Sequence, residues 1–158
     1  MKLSFSIPFS VGLSIAIVAT AGLAASHTAS SSDKAVAARK ALMQMVSYNA
    51  GLLGAVAKGE ADFDAAMVNS AATNLNALAK FDTVSLWLEG TEQGAVDGSR
   101  AKPEIWNDTA GFADKFAALE KASADLIGAA DLDAVKAGMG AVGGACKACH
   151  ETYRGPEN

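Results

Sequence analysis

The chain is poor in cysteine, proline and aromatic residues. Two cysteines in 158 residues are too few to staple a disulfide miniprotein. Three prolines leave long stretches without a helix breaker, and aromatics make up only 6%. No Lys/Arg cluster exists, and 13 basic against 17 acidic side chains give a formal charge of −4, which argues against a nucleic-acid binder. β-branched residues are also few, and no segment reads as a convincing strand. What is abundant is apolar: 51% of the chain, much of it alanine. That fraction excludes a disordered protein. An alanine-rich composition favours helices packed closely on one another. The length fits one domain behind a short leader.

Residues 1–26 have the layout of a secretory signal peptide: Lys2, an apolar centre from about Phe9 to Val18, then small residues. Ser4, Ser6, Pro8, Ser10 and Ser14 weaken the alternative of a membrane anchor. Small residues at Gly22, Ala24 and Ser26 place cleavage after Ala24 to Ser26. Removing Lys2 leaves 12 basic and 17 acidic side chains, a formal charge of −5. The destination is an export compartment, most simply a bacterial periplasm. No other apolar run is long enough to span a bilayer, so no stable membrane span is expected after the leader is removed. Residues 27–32 read as a loose N-terminus and 33–158 as the folded domain.

Four amphipathic stretches follow. From Asp33 to Lys58, Val36, Met43, Ala50 and Ala57 recur every seven residues, with Val46 and Leu53 interleaved. The interleaved series lands on Arg39, a guanidinium on an apolar stripe that needs an anionic partner. Asp62 or Asp64 can cap a second helix whose buried face is Met67, Ala71, Leu75 and Leu78. From Phe81 to Lys102 the period breaks. Gly90, Gly94 and Gly98 lie there among polar residues, with Trp87 and Leu88 as anchors, and this reads as an ordered crossover. Pro103 fits the first turn of a third helix, with Ile105, Phe112, Leu119 and Leu126 stepping by seven and Phe116 between. Asp131 can cap a fourth, striped by Leu132, Val135, Met139, Val142, Cys146, Cys149 and Tyr153. The fold class expected is all-α: an antiparallel four-helix bundle with a long connection between helices 2 and 3.

Cys146-Lys147-Ala148-Cys149-His150 is the C-x-x-C-H attachment signature of c-type haem. Two thiols three residues apart share one helical face and can add to the two vinyl groups of one porphyrin. The next residue, His150, can reach the iron from the same side. A thioredoxin-like pair belongs at a helix start after a strand, and no strand is near. Cysteines at i and i+3 in a regular helix are poorly placed for a disulfide. A zinc site lacks ligands, since the other histidine is His27. One haem, covalently bound, with its iron, is the expected cofactor. Gly138, Gly140, Gly143 and Gly144 inside the last helix suit either a flat macrocycle or close helix contact.

This C-terminal motif, running on through Tyr153-Arg154, resembles that of class II cytochromes c, the cytochrome c-prime family. The likeness extends to Lys102-Pro103-Glu104-Ile105-Trp106 before the third helix and to Ala38-Arg39-Lys40-Ala41-Leu42-Met43 in the first. The resemblance covers essentially all of the mature chain. In one branch of that family the iron is five-coordinate and binds NO and CO, with an apolar side chain four residues after a first-helix arginine. In the low-spin branch, the cytochrome c-556 type, a methionine there is the sixth ligand and the protein carries electrons. Arg39 plus four is Met43, so the resemblance implies that Met43 and His150 ligate iron. It also implies that Arg39 contacts a haem propionate. By periodicity alone, a methionine such as Met43 on an apolar helical face is usually a core filler.

The function this implies is a non-enzymatic periplasmic one-electron carrier serving redox partner proteins, as a monomer or homodimer. The alternative is a five-coordinate gas binder. The sequence offers no distal acid–base group of the kind a haem enzyme needs. A porphyrin between the first and last helices would be bounded by Met43, Cys146, Cys149 and His150. The family's usual turn in the middle connection is replaced by Leu86-Trp87-Leu88-Glu89-Gly90.

Overall fold

A computed structural model describes residues 30–157; the leader read at 1–26 and the segment 27–29 lie outside them. The helices are α1 (Ser31–Lys58), α2 (Ala65–Ala79), α3 (Glu104–Asn107), α4 (Thr109–Ala124) and α5 (Leu132–Tyr153), with a 3-10 turn at Val84–Leu86. No strand occurs among the described residues. Four long helices form a ring in which α1 packs on α2 and α5, and α4 on α2 and α5. Every neighbouring pair is antiparallel. Gly54 faces Met139 while Met43 meets Cys146. Asn69 reaches Gly128 while Asn76 reaches Glu120. Asp108 meets Tyr153 while Gly138 faces Leu126. The expected antiparallel four-helix bundle is the fold.

The helix boundaries follow from side-chain caps. α1 starts at Ser31 rather than Asp33, because the Ser30 hydroxyl accepts from the Asp33 backbone N–H while Asp33 reaches back to the Ser30 N–H. Ser31 and Ser32 therefore belong to the helix and not to a loose N-terminus. α1 ends at Gly59, whose φ of 74° is the left-handed conformation that glycine adopts without a Cβ penalty. Of the two acids considered for α2, Asp64 is the cap, accepting from Met67 N–H. The expected third helix is interrupted. Pro103 opens only the short α3, and the chain breaks at Asp108 before α4 begins. There the Asp108 carboxylate folds over Gly111 and accepts its N–H at 3.0 Å, in space that a Cβ on residue 111 would fill.

Burial on α1 centres on Arg39, Val46 and Leu53, flanked by Leu42, Asn49 and Val56. The series Met43, Ala50 and Ala57 runs along one edge and is only half-buried. That edge faces α5, so Met43 looks across the bundle toward the cysteines. Ile105, Phe112, Leu119 and Leu126 are all buried as their seven-residue step predicts, although the first and last lie outside α4. The apolar interior is divided. One cluster centres on Val46, Leu53, Val68, Leu75, Leu126 and Val142. The other gathers Ile105, Phe112 and Tyr153 with Trp87, Trp106, Phe116 and Cys149. The cysteine helix runs from the first into the second.

The middle connection is an ordered crossover. Gln93 N–H donates to Ala101 C=O, and Trp106 Nε1 donates to Trp87 C=O. The chain's end is stitched to it: Lys102 N–H donates to Tyr153 C=O, and Gly155 N–H to Arg100 C=O at 2.7 Å.

The glycines of α5 divide by environment. A Cβ on Gly138 would fall about 2.5 Å from the Leu126 side chain, so this glycine permits close helix contact. The Cβ positions of Gly140, Gly143 and Gly144 face open space. Gly138→Ala is expected to destabilise the fold by about 1–3 kcal/mol through overpacking. Gly140→Ala is expected to stabilise it by about 0.5–1 kcal/mol through helix propensity. Urea unfolding of both variants checks this, and a Gly138→Ala protein as stable as the parent would refute the close contact.

Candidate haem site

Cys146, Cys149 and Tyr153 continue the stripe begun by Leu132, Val135, Met139 and Val142, so burying that stripe turns both sulfurs inward. Both thiols are free and half-buried. With Ala145 and His150 they form one wall of a narrow cleft of about 50 Å³. Met43 and Val46 on α1, and Lys115, Phe116 and Leu119 on α4, form the rest. All four residues expected to bound a porphyrin, Met43, Cys146, Cys149 and His150, thus converge. Lys115 was not singled out from the sequence. Its position between Phe112 and Phe116 on the α4 stripe is the signal that could have found it.

A second, wider cleft of about 360 Å³ opens beside Cys146 and His150, with Arg100, Lys147, Glu151 and Arg154 around it. His150 lines both clefts. Burial pushes its pKa down, helped by the charges of Arg154 and Arg100. The imidazole is therefore held neutral, with a lone pair to give a metal. Burial pushes both thiols up; for Cys149 the neighbouring Cys146 adds to this while Lys115 and Arg154 oppose it.

Arg39 is 5% exposed and does not contact a carboxylate among the described residues. Among the described residues its hydrogen bonds go to the crossover. Nη1 donates to Thr91 Oγ1 at 2.9 Å, and Nη2 donates to Thr91 C=O at 3.0 Å and Ser99 Oγ at 3.1 Å. Its guanidinium carbon lies 4.7 Å from the centre of the Trp87 ring. Burial pushes the Arg39 pKa down. Trp87 Nε1 is buried without a partner, the one such side-chain atom identified among the described residues. Arg100 and Lys102 hold the tail: Arg100 Nε donates to Gly155 C=O, and Lys102 Nζ to Glu151 C=O.

Tyr153 anchors the helix that carries the motif. Its ring meets Phe112 edge-on at 5.2 Å, and its hydroxyl donates to Asp108 Oδ2 at 2.8 Å. Asp108 therefore caps α4 with one oxygen and holds the end of α5 with the other. These two hydrogen bonds, the Tyr153 one foremost, lower the Asp108 pKa.

The residues present fit a covalently attached haem. Two thiols on one helical face, a neutral imidazole, a thioether across the cleft and an otherwise largely apolar lining supply its chemistry, and an unpartnered indole N–H lies buried nearby. A porphyrin is larger than the narrow cleft, so side chains that line it must move to admit one. No group of three or more His, Cys, Asp or Glu side chains could hold another metal among the described residues.

A four-helix bundle bearing this constellation on its last helix defines a bundle-type c-type cytochrome. The chain belongs to the cytochrome c' family, whose model, described as Cytochrome C', matches residues 34–154. Members carry covalently bound haem with iron, and the cysteines for it are present as Cys146 and Cys149. A cytochrome c-554 of Cereibacter sphaeroides is 36% identical over 146 residues, covering 91% of this chain and 94% of the relative. A cytochrome c' of the same organism is 39% identical over 136 residues, covering 85% and 91%. Among solved structures, cytochrome c' from Rhodobacter spheriodes superimposes with TM-score 0.76 at 38% identity, covering 80% of this chain and 98% of that one. The nitric oxide complex of a mutant cytochrome c prime from Alcaligenes xylosoxidans gives TM-score 0.68 at 34% identity, covering 80% and 97%.

The Tyr153–Asp108 bond has a pH signature. An unfolded tyrosine ionises near pH 10. In the fold, burial and then the Asp108 bond push Tyr153 up to about 12. The unfolded chain therefore loses this proton first, so stability is full below pH 10 and falls as pH rises toward 12. Tyr153→Phe is expected to lose that component of alkaline destabilisation. Circular dichroism during urea titration at several pH values checks it; an unchanged fall between pH 10 and 12 would reject the assignment.

Proposed function

We infer that the chain is a periplasmic one-electron carrier, with His150 and Met43 as the two protein ligands of its haem iron. The observation that carries this reading is the position of Met43, which lines from α1 the same cleft that Cys146, Cys149 and His150 line from α5. The haem supplies an iron centre that gains and loses one electron. Cys146 and Cys149 prevent its loss. Burial and two arginines keep His150 available as a neutral donor. Met43 contributes a thioether with no proton to lose, a ligand that favours the ferrous state. Val46, Phe116 and Leu119 give the same cleft apolar walls. A ligand pair unchanged between oxidation states limits geometric change, which suits fast exchange with redox partner proteins. No substrate is transformed in this reading. The signal-like residues 1–26 support export, and no helix among the described residues is long and apolar enough to cross a membrane.

One observation favours a second reading. A relative has been solved with nitric oxide, so a five-coordinate iron with Met43 merely covering the ligand site is the rival. The optical spectrum of the holoprotein, with and without CO, separates the two. The carrier is expected to be low-spin in the ferric state, with a thioether-to-iron charge-transfer band and little response to CO. Met43→Leu conserves volume and removes the donor sulfur. It is expected to give a high-spin spectrum that shifts strongly with CO. An unchanged ferric spectrum in Met43→Leu would remove Met43 from the ligand set.

A further inference from the structure

We propose that Trp87 is a haem-binding residue: its indole N–H donates to one of the propionate carboxylates of the haem, at a seat shared with Arg39. The proposal is independent of the sixth iron ligand and holds for a carrier and a gas binder alike. It starts from Trp87 Nε1, the one buried side-chain polar atom identified without a partner among the described residues. A buried N–H left unpaired costs free energy comparable to that of a lost hydrogen bond, so such a group marks a missing acceptor. The other indole shows the usual arrangement, since Trp106 Nε1 donates to Trp87 C=O at 2.8 Å.

The surroundings of the Trp87 ring fix its direction and select an anion. Arg39 lies over its face, with the guanidinium carbon 4.7 Å from the ring centre. Phe112 packs against it at a steep angle, 4.8 Å between ring centres. Arg39 is buried, and the groups that accept from it, on Thr91 and Ser99, are uncharged. A buried cation with neutral acceptors and an unpaired N–H beside it together suit a carboxylate, which accepts a charge-assisted bond.

The haem is the source of carboxylate that this place points to. Trp87 borders the narrow cleft from two sides. Its neighbour Arg39 stands one turn before the cleft residue Met43 on α1, and its neighbour Phe112 one turn before the cleft residue Phe116 on α4. Trp87 also shares an apolar cluster with Cys149. Haem carries its two carboxylates on the pyrroles opposite those that bear the vinyl groups. A ring bonded through its vinyl half to Cys146 and Cys149 therefore presents both carboxylates on the half that remains. Trp87 lies in Leu86-Trp87-Leu88-Glu89-Gly90, where this chain departs from the family's usual turn, so the donor is not one that the resemblance supplies.

Resonance Raman spectra of the holoprotein test this. Soret excitation picks out the haem, and its propionate bending band rises in frequency with hydrogen bonding to the carboxylate. Trp87→Phe is expected to lower that band by a few wavenumbers, and Trp106→Phe to leave it in place. Trp87→Phe also alters the surface on which Arg39 rests. A second variant therefore carries β-(3-benzothienyl)alanine at position 87, which keeps the bicyclic shape and puts sulfur in place of the N–H. It is expected to lower the band as Trp87→Phe does. A band unmoved by the benzothienyl replacement would overturn the proposal, and so would an equal shift in Trp106→Phe. The spin-marker bands of the same spectra report the iron ligands separately, so failure of the Met43 assignment shows there and not in the propionate band.

Discussion

The apolar stripe of α5 can be buried only by turning Cys146 and Cys149 inward, and the rest of the site depends on that constraint. Val135, Val142 and Tyr153 lie on the same line of the helix and are buried. Fixing their depth fixes the two sulfurs between the two halves of the core. The antiparallel pairing of α5 with α1 then decides which α1 residue stands opposite. Gly54 beside Met139 sets the register at one end, and Met43 meets the cysteines further along. The convergence of Met43 with the two cysteines is thus a by-product of ordinary helix packing.

Arg39 and Asp108 provide the polar counterpart. Each is one side chain that joins two parts of the chain distant in sequence. Arg39 binds α1 to the crossover through Thr91 and Ser99, and Asp108 binds the start of α4 to the end of α5 through Tyr153. Both act where helix packing gives little, in the connection and at the helix ends. The Arg39 guanidinium donates to two hydroxyls and a carbonyl of the crossover and lies over an indole face.

The four long helices, the long middle connection and the haem motif were legible in the sequence because each rests on a short-range rule: helical period, proline and glycine placement, and a fixed cysteine spacing. Met43 is singled out only through the family resemblance, since periodicity alone makes it indistinguishable from packing. Three features were not legible. The break at Asp108 escaped because the seven-residue step from Ile105 to Phe112 passes through it unchanged. The α1 start at Ser31 escaped because aspartate at the third helical position makes a weaker signal than glutamate in a capping box. The partners of Arg39 escaped because they lie 52 and 60 residues away in the crossover, where no periodic pattern exists.

The location of the thiols late in the chain bears on how the protein is made. Polypeptides tend to fold from the amino end as they emerge, and here α1, α2 and α4 all precede the C-x-x-C-H segment. Packing α5 onto them half-buries both sulfurs and disfavours the thiolate. Because the thiolate is the reactive form, the sulfurs are most open to ligation before α5 packs on its three neighbours.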